Sequence, residues 1–140
     1  MDWAHDDVPT YMRTKSGKPI LSLPYPQELN DIPTIMVRRS SASDFADMII
    51  DNLEELIASQ GPDKSPVVMG IALHPYVIGQ PFRMKHLKRA LDFIEERKNE
   101  QKIWLTTAGN IADAWKTMAP PTPDDFKPFI PPEDKRPLVK

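Results

Sequence analysis

Cysteine is absent from this chain of 140 residues. Its absence excludes a disulfide framework, a thiolate-bound metal and a cysteine nucleophile, and it agrees with a reducing compartment, so we expect a cytoplasmic protein. No stretch approaches the ~18 consecutive apolar residues that a membrane-spanning helix needs. The first nine residues are acidic and lack the apolar core of a signal peptide. We therefore expect no membrane partner.

A large excess of charge of one sign is also lacking, because the formal net charge is only −2. General nucleic-acid binders show a basic patch or stripe, so we expect no nucleic-acid partner. Glycine occurs only five times, and the sequence contains neither a phosphate-binding loop nor a dinucleotide fingerprint. Ser40 and Ser41 do not sit in the G-x-S-x-G turn that exposes a nucleophilic serine. The sequence therefore gives no sign of a phosphate-loop enzyme, a dinucleotide-binding enzyme or a hydrolase with a G-x-S-x-G serine.

Proline, by contrast, is abundant, with 16 residues, well above the roughly 5% of average proteins. Proline fixes φ and removes a backbone donor, so much of the backbone is expected to be irregular. Within residues 1–40, two short pieces, 19–23 and 34–38, are predicted to be extended. Residues 119–140 combine seven prolines with scattered charges, which predicts a disordered tail without packed structure. The folded domain is thus expected to span residues 1–118.

The middle of the chain, residues 41–118, has an α/β pattern. Ser41 and Asp44 have the spacing of a capping box, which marks a helix start. Apolar residues then recur at spacings of three and four until Gly61, which predicts one buried helical face. That face comprises Phe45, Met48, Ile49, Leu53, Leu56 and Ile57.

A strand, a helix and a second strand are predicted next. Residues 67–73 (VVMGIAL) form a short apolar run typical of a strand covered on both faces. Pro81 suits a helix start, and the buried side of that helix is expected to carry Phe82, Leu87, Ala90, Leu91 and Ile94. A second short strand is predicted at 103–106. Together these elements predict a βαβ unit with a right-handed crossover. Thr107 should cap a last helix from residue 108 to about 118, which faces inward with Ile111, Ala112 and Trp115.

His74 follows the predicted strand 67–73 directly. Ligands of parallel α/β sheets bind at the carboxyl ends of the strands, and histidine can transfer protons near neutral pH. His74 is therefore a candidate catalytic residue, and the alternative is a structural histidine hydrogen-bonded to a loop. His5 and His86 show no ligand spacing with it, and the adjacent acids at positions 6 and 7 are expected to be solvated.

Four segments of the sequence match one known family in order. Residues 67–83 (VVMGIALHPYVIGQPFR) resemble the last catalytic segment of polysaccharide deacetylases of the NodB-homology type, in the branch that includes chitin-deacetylase-like proteins and allantoinases. Residues 103–113 (IWLTTAGNIAD), residues 21–33 (LSLPYPQELNDIP) and the start of the chain, with Asp2-Trp3 and Asp6-Asp7, also resemble that branch. The resemblance covers about residues 1–115.

This resemblance implies a distorted seven-stranded (β/α) barrel, of which the chain would be the C-terminal part. It implies hydrolysis of a carbon–nitrogen bond in a non-peptide amide of a small molecule or saccharide. His74 would be the general acid that protonates the leaving amine, and Asp2 would support it. Trp3, Pro75 and Tyr76 would line the substrate groove.

The departures from the family pattern concern the other half of the barrel. The family's catalytic base and metal ligands belong to an N-terminal half that has no counterpart here, so we expect no cofactor in this chain, although many relatives use a divalent metal. The family's usual leucine two residues before the histidine is Ala72. A half barrel leaves exposed sheet edges, so we expect self-association or assembly with a complementary N-terminal half. Three interpretations stay open: a hydrolase part that is inactive alone, a non-catalytic remnant, and a module that binds a saccharide or small molecule.

Overall fold

The computed structural model describes residues 7–61, 64–98, 100 and 103–130. In chain order, the elements are two strands, a π-helix and four α-helices: β1 (Thr10–Met12), β2 (Ile20–Ser22), the π-helix (Ile32–Val37), α1 (Ala42–Ser59), α2 (Pro75–Ile78), α3 (Pro81–Lys98) and α4 (Ala108–Met118). Helix and strand are thus both present, but within these residues the only sheet has two strands.

Three helices, α1, α3 and α4, begin where the sequence predicted, whereas α2 was not predicted. At the start of α1, the Asp44 N–H donates to Ser41 Oγ over 3.1 Å, and the Ser41 N–H donates to Asp44 Oδ2 over 2.8 Å, which forms the expected capping box. Thr107 caps α4 by accepting from the Asn110 N–H. Pro81 opens α3 as expected.

The core lies between α1 and α3, with the segment around Leu29 and Ile35 and the short helix α2 packed against it. Its buried side chains are Leu29, Ile35, Ala42, Phe45, Ala46, Ile49, Leu53, Val77, Ile78, Leu87, Ala90 and Ile94. Two residues assigned to this side of α3 are exposed instead, because Phe82 is 66% accessible and Leu91 43%. The three inward positions predicted on α4 are only partly buried, and α4 contributes no buried residue.

Of the two extended pieces predicted before residue 40, one is confirmed and one is wrong. Residues 20–22 form β2, which pairs antiparallel with β1 so that Tyr11 faces Leu21. Residues 32–37 form a π-helix, and the Arg38 N–H donates to Pro33 O over 2.9 Å. Strand propensity depends on context, and burial of Thr34 and Ile35 in the helical conformation outweighs it here.

The predicted parallel strand pair is not formed in the part of the chain that the structure describes. Residues 67–73 are not assigned to a strand. Their backbone contacts with other segments include one parallel bridge, between Asn30 and Ala72, and a hydrogen bond of 2.7 Å from the Val68 N–H to Asp7 O. Residues 103–106 are likewise outside any strand. Residues 67–71 are half-buried rather than covered on both faces, because a strand becomes covered only when neighbouring segments supply its partners.

After α4, most of residues 119–130 are exposed, but residues 126–129 contact the β1–β2 turn. The Phe129 N–H donates to Thr14 O over 2.9 Å. Gly17, with φ of +73°, faces the Phe126 carbonyl so closely that a Cβ there would lie 2.9 Å from the oxygen. Residues 131–140 of the predicted tail lie outside the described residues, and the domain boundary at residue 118 stays a prediction.

Among the described residues, none of the helices combines the length and the apolar character needed to cross a bilayer.

Candidate active site

The centre of the site is a pair formed by His74 and Asp31, which are 43 positions apart in the chain. His74 Nδ1 lies 2.6 Å from Asp31 Oδ1, and the His74 backbone N–H donates to Asp31 Oδ2 over 2.8 Å. The Asp31 side chain is fully buried, whereas that of His74 is 32% exposed. One carboxyl group thus holds both the main chain and the ring of the histidine.

A short parallel backbone ladder brings the two residues together. The Ala72 N–H donates to Leu29 O over 2.8 Å, and the Asp31 N–H donates to Ala72 O over 3.2 Å. The next donor in this ladder is the His74 N–H, and the Asp31 carboxylate accepts from it. The chain turns into a helical conformation at Asp31 (φ −66°, ψ −28°). The Asp31 carboxylate therefore accepts the hydrogen bond from the His74 N–H that a backbone carbonyl would accept in a continuous strand.

This arrangement fixes which ring nitrogen of His74 is available for chemistry. A carboxylate can only accept hydrogen bonds, so Nδ1 carries a proton when it faces ionised Asp31. Nε2 lies on the edge of the ring opposite to Nδ1, and the His74 side chain is 32% exposed. His74 can therefore accept or donate a proton through Nε2 while its orientation stays fixed.

Burial makes the carboxyl of Asp31 dependent on these partners. A fully buried charged group is strongly disfavoured unless hydrogen bonds compensate for lost hydration. Both Asp31 oxygens have such a bond, one with the ring and one with the backbone of His74. The pair is therefore a coupled unit, and removal of either partner leaves the other uncompensated.

The turn after His74 is rigid. It contains α2, with Pro75 at its first position, and ends at Gly79. A Cβ on Gly79 would lie 2.2 Å from Pro75 O, so only glycine fits without a backbone shift. Arg83 from α3 donates through Nη1 to Val77 O over 2.8 Å. The turn is therefore fastened to α3 as well as to the core.

Two of the three predicted substrate-binding residues, Pro75 and Tyr76, lie among the described residues. Tyr76 is 67% exposed, and its ring lies edge-on to that of His74, with 5.9 Å between the ring centroids. Pro75 is exposed on the same turn. Asp2 and Trp3 lie outside the described residues. Of the predicted site residues, the structure thus brings His74, Pro75 and Tyr76 together.

Sequence reasoning missed Asp31, although the segment that contains it was matched to the family. The resemblance assigned the support of His74 to Asp2, which lies outside the described residues; among the described residues, the carboxyl of Asp31 lies against the ring. A signal was present, because Asp31 interrupts apolar positions that include Leu29 and Ile35, and acids are rarely fully buried unless they are paired. Only the fold, however, identifies the partner.

The described residues contain no group of three or more His, Asp or Glu side chains able to hold a metal ion. His86 lies on α3 and lines a cavity of about 260 Å³ with Phe82 and Arg83, away from the His74–Asp31 pair. A second cavity, of about 180 Å³, lies between the loop at Pro24–Pro26 and residues 68–70. Neither cavity is lined by His74.

No family profile matches the chain, but individual proteins do. A Schizosaccharomyces pombe protein classed provisionally as a polysaccharide deacetylase is 25% identical over 118 residues, which cover 84% of this chain and 36% of that protein. The crystal structure of the Puue allantoinase superimposes with a TM-score of 0.71 at 32% identity. That of a Pseudomonas aeruginosa protein, also classed provisionally as a polysaccharide deacetylase, superimposes with a TM-score of 0.70 at 28% identity.

Both structural matches cover 84% of this chain and 38% of the matched chain. The chain thus spans little more than a third of the length of these relatives. Sequence and fold agree on one family, as the motifs around His74 indicated. The chain is similar to proteins classed as polysaccharide deacetylases and to an allantoinase, over little more than a third of their length.

Proposed function

We propose that this chain is the part of a carbon–nitrogen hydrolase that supplies the general acid, His74. The observation that carries the proposal is the buried carboxylate of Asp31, 2.6 Å from His74 Nδ1. A histidine with one nitrogen held by a carboxylate suits directed proton transfer through the other. The family relationship supports an amide-type, non-peptide substrate, either a small molecule or a saccharide.

In the proposed step, water has added to the amide carbon, and the tetrahedral intermediate breaks down. The C–N bond breaks, its electron pair goes to nitrogen, and the Nε2 proton of His74 goes to the same nitrogen. The amine leaves neutral, and the imidazole keeps the proton on Nδ1, where Asp31 accepts its hydrogen bond. Asp31 thus holds the ring in one orientation and tautomer through the transfer.

Other groups must activate the water and stabilise the oxyanion. General acid catalysis contributes ~10²–10⁴-fold by itself, so we propose that the chain alone has no useful turnover. In many relatives a divalent metal serves these purposes. Since the described residues do not form a ligand set for one, we assign the water-activating groups to the portion of the family fold that this chain does not match.

Exposed apolar side chains on the segments before and after α3 support that assignment. Leu73 is 39% exposed, Trp104 59% and Leu105 50%, and they lie in the extended segments that flank α3. Large apolar side chains that cluster on a surface mark an interaction site. We propose that the remaining portion of the hydrolase fold covers them, and that the groove lined by Pro75 and Tyr76 lies at this boundary.

A chimaera tests the proposal. The matched 38% of the Puue allantoinase is replaced by this chain, and hydrolysis of allantoin is measured. Measurable turnover that falls 10²–10⁴-fold in His74→Ala, in line with the contribution of a general acid, is the expected result. His86→Ala should retain turnover, because His86 lines a cavity that His74 does not line.

Two outcomes would count against the proposal. A folded chimaera whose turnover is unaffected by His74→Ala would remove His74 from the mechanism. Robust turnover by the isolated chain would show that no further portion is needed.

A further inference from the structure

The four residues from Asp31 to Thr34 have an unusual arrangement of backbone N–H partners. Asp31 directly precedes the π-helix, where an acidic side chain normally accepts free N–H groups and interacts with the positive end of the helix, but its side chain makes no such bond. Its carboxylate instead points away, to His74. When an acidic side chain does not accept hydrogen bonds from the N–H groups at its own helix start, other groups must accept them.

The N–H groups from Asp31 to Thr34 are each accounted for by another acceptor. The Asp31 N–H donates to Ala72 O over 3.2 Å. The Ile32 N–H donates to the side-chain oxygen of Asn30 over 3.1 Å. Pro33 has no N–H, and the Thr34 N–H donates to the backbone oxygen of Asn30 over 3.2 Å. The first turn therefore has no N–H left for the Asp31 carboxylate.

From this account we infer that Asn30 is a positioning residue, which caps the helix start and so reserves the carboxylate of Asp31 for His74. Pro33 assists by removing the one further donor that the first turn would otherwise present. The inference extends the proposed function, because it names a residue that acts on the general acid through Asp31. Asn30 itself touches neither the ring of His74 nor any reacting atom.

Two further contacts hold the cap in place. The Asn30 amide donates to the Tyr25 hydroxyl over 3.4 Å, which keeps its oxygen turned towards Ile32. Thr34, only 1% exposed, donates through Oγ1 to Glu28 O over 2.8 Å. Asn30 also forms the parallel bridge with Ala72, so the cap and the ladder that carries His74 share one residue.

The test measures the tautomer of His74 by ¹⁵N NMR on the full chain, at a pH where the imidazole is neutral. In the wild type, the Nδ1–H tautomer should dominate. In Asn30→Ala, the Ile32 N–H loses its acceptor, and the neighbouring Asp31 carboxylate divides between that donor and His74. The Nε2–H tautomer should then gain population, and the protected Nδ1 proton should exchange faster with water.

Asn30→Asp keeps an oxygen at the same place and should restore the wild-type spectrum. The matched control is Ser41→Ala, which removes the same kind of cap from α1 and should leave the His74 signals unchanged even though it destabilises the fold. If Asn30→Ala does not fold, Asn30→Gln replaces it. Its longer side chain moves the oxygen off the Ile32 N–H, and the same shift is expected.

A folded Asn30→Ala or Asn30→Gln protein with the wild-type tautomer and exchange rate would overturn the inference. So would an equal change in the Ser41→Ala control, since a general loss of stability would then explain both. This readout does not depend on turnover, so it can fail while the chimaera remains active, and the reverse is equally possible.

Discussion

The helical layer and the extended segments of this protein differ in how completely their side chains are buried. Helices α1 and α3 bury Phe45, Ile49 and Leu87 almost completely against each other and the adjoining loop. Residues 67–71 are half-buried, and Trp104 and Leu105 are exposed. The comparison shows a helical face that buries its apolar side chains within the described residues, and an extended face, residues 67–71 and 104–105, that leaves its side chains partly or largely exposed.

The largest effect is expected at the centre of the helical face. Phe45 in α1 is fully buried, whereas Phe82 in α3 is 66% exposed. Phe45→Ala should lower the free energy of unfolding by about 3–5 kcal/mol, because it removes apolar contacts and leaves a cavity. Phe82→Ala should change it by less than about 1 kcal/mol. Urea denaturation followed by circular dichroism measures both variants, and similar losses would contradict the assignment of the core.

A smaller effect is expected at the cap of α1. Ser41→Ala removes the side chain that accepts from the Asp44 N–H and should lower the free energy of unfolding by about 1 kcal/mol. Thr107→Ala at α4 is the matched change on a helix without buried residues. It should alter global unfolding less, because α4 contributes little to the core. An equal loss in both variants would show that α4 belongs to the same cooperative unit as α1.

The same cap predicts a pH dependence. The backbone N–H of Ser41, followed by its hydroxyl, lowers the pKa of Asp44 below its ordinary value of 3.8. A carboxyl whose pKa is lower in the folded state stabilises the fold above its unfolded pKa, and this contribution is lost as the pH falls through the folded pKa. Denaturation midpoints measured from pH 5 downwards should therefore fall less steeply in Asp44→Asn than in the wild type. Parallel curves would contradict the assignment.

The smallest effect on stability is expected on the extended face. A change in self-association is expected there as well. Leu105→Lys places a charge on a side chain that is already 50% exposed, so the free energy of unfolding should change by no more than about 0.5 kcal/mol. If the extended face drives self-association of the isolated chain, the variant should be more monomeric than the wild type in light scattering. Leu91→Lys, on the exposed side of α3, is the control. A wild-type chain that is monomeric at high concentration would contradict the interpretation of this face.

The contrast between the two faces also explains what the sequence could predict. The starts of α1, α3 and α4 depend on local signals, such as the Ser41–Asp44 spacing and Pro81, and all three were predicted correctly. The segments 67–73 and 103–106 have the composition of strands, but a strand exists only when a neighbour pairs with it. For the same reason, the extended conformation predicted for residues 34–38 was wrong: local propensity favours a strand there, and packing of Ile35 against the core favours a helix.

In the candidate site, too, local sequence identified one residue, and only the fold identified its partner. His74 could be selected from sequence because it follows an apolar run and lies in a segment that resembles a known family. Asp31 could not be paired with it, since the pairing depends on the bridge between Asn30 and Ala72, which joins distant parts of the chain. Tyr76, two residues from His74, was within reach of local reasoning, and the structure places its ring beside the histidine.

The most direct test of the account is the state of the His74 ring in wild-type protein and in Asp31→Asn, observed by ¹⁵N NMR while the imidazole is neutral. The account predicts a wild-type ring with its proton on Nδ1. It predicts that this preference is lost in Asp31→Asn, because an amide can accept only one of the two hydrogen bonds that the carboxylate accepts. A wild-type ring protonated mainly on Nε2, or a tautomer ratio that Asp31→Asn leaves unchanged, would contradict the claim that Asp31 prepares His74 for proton transfer.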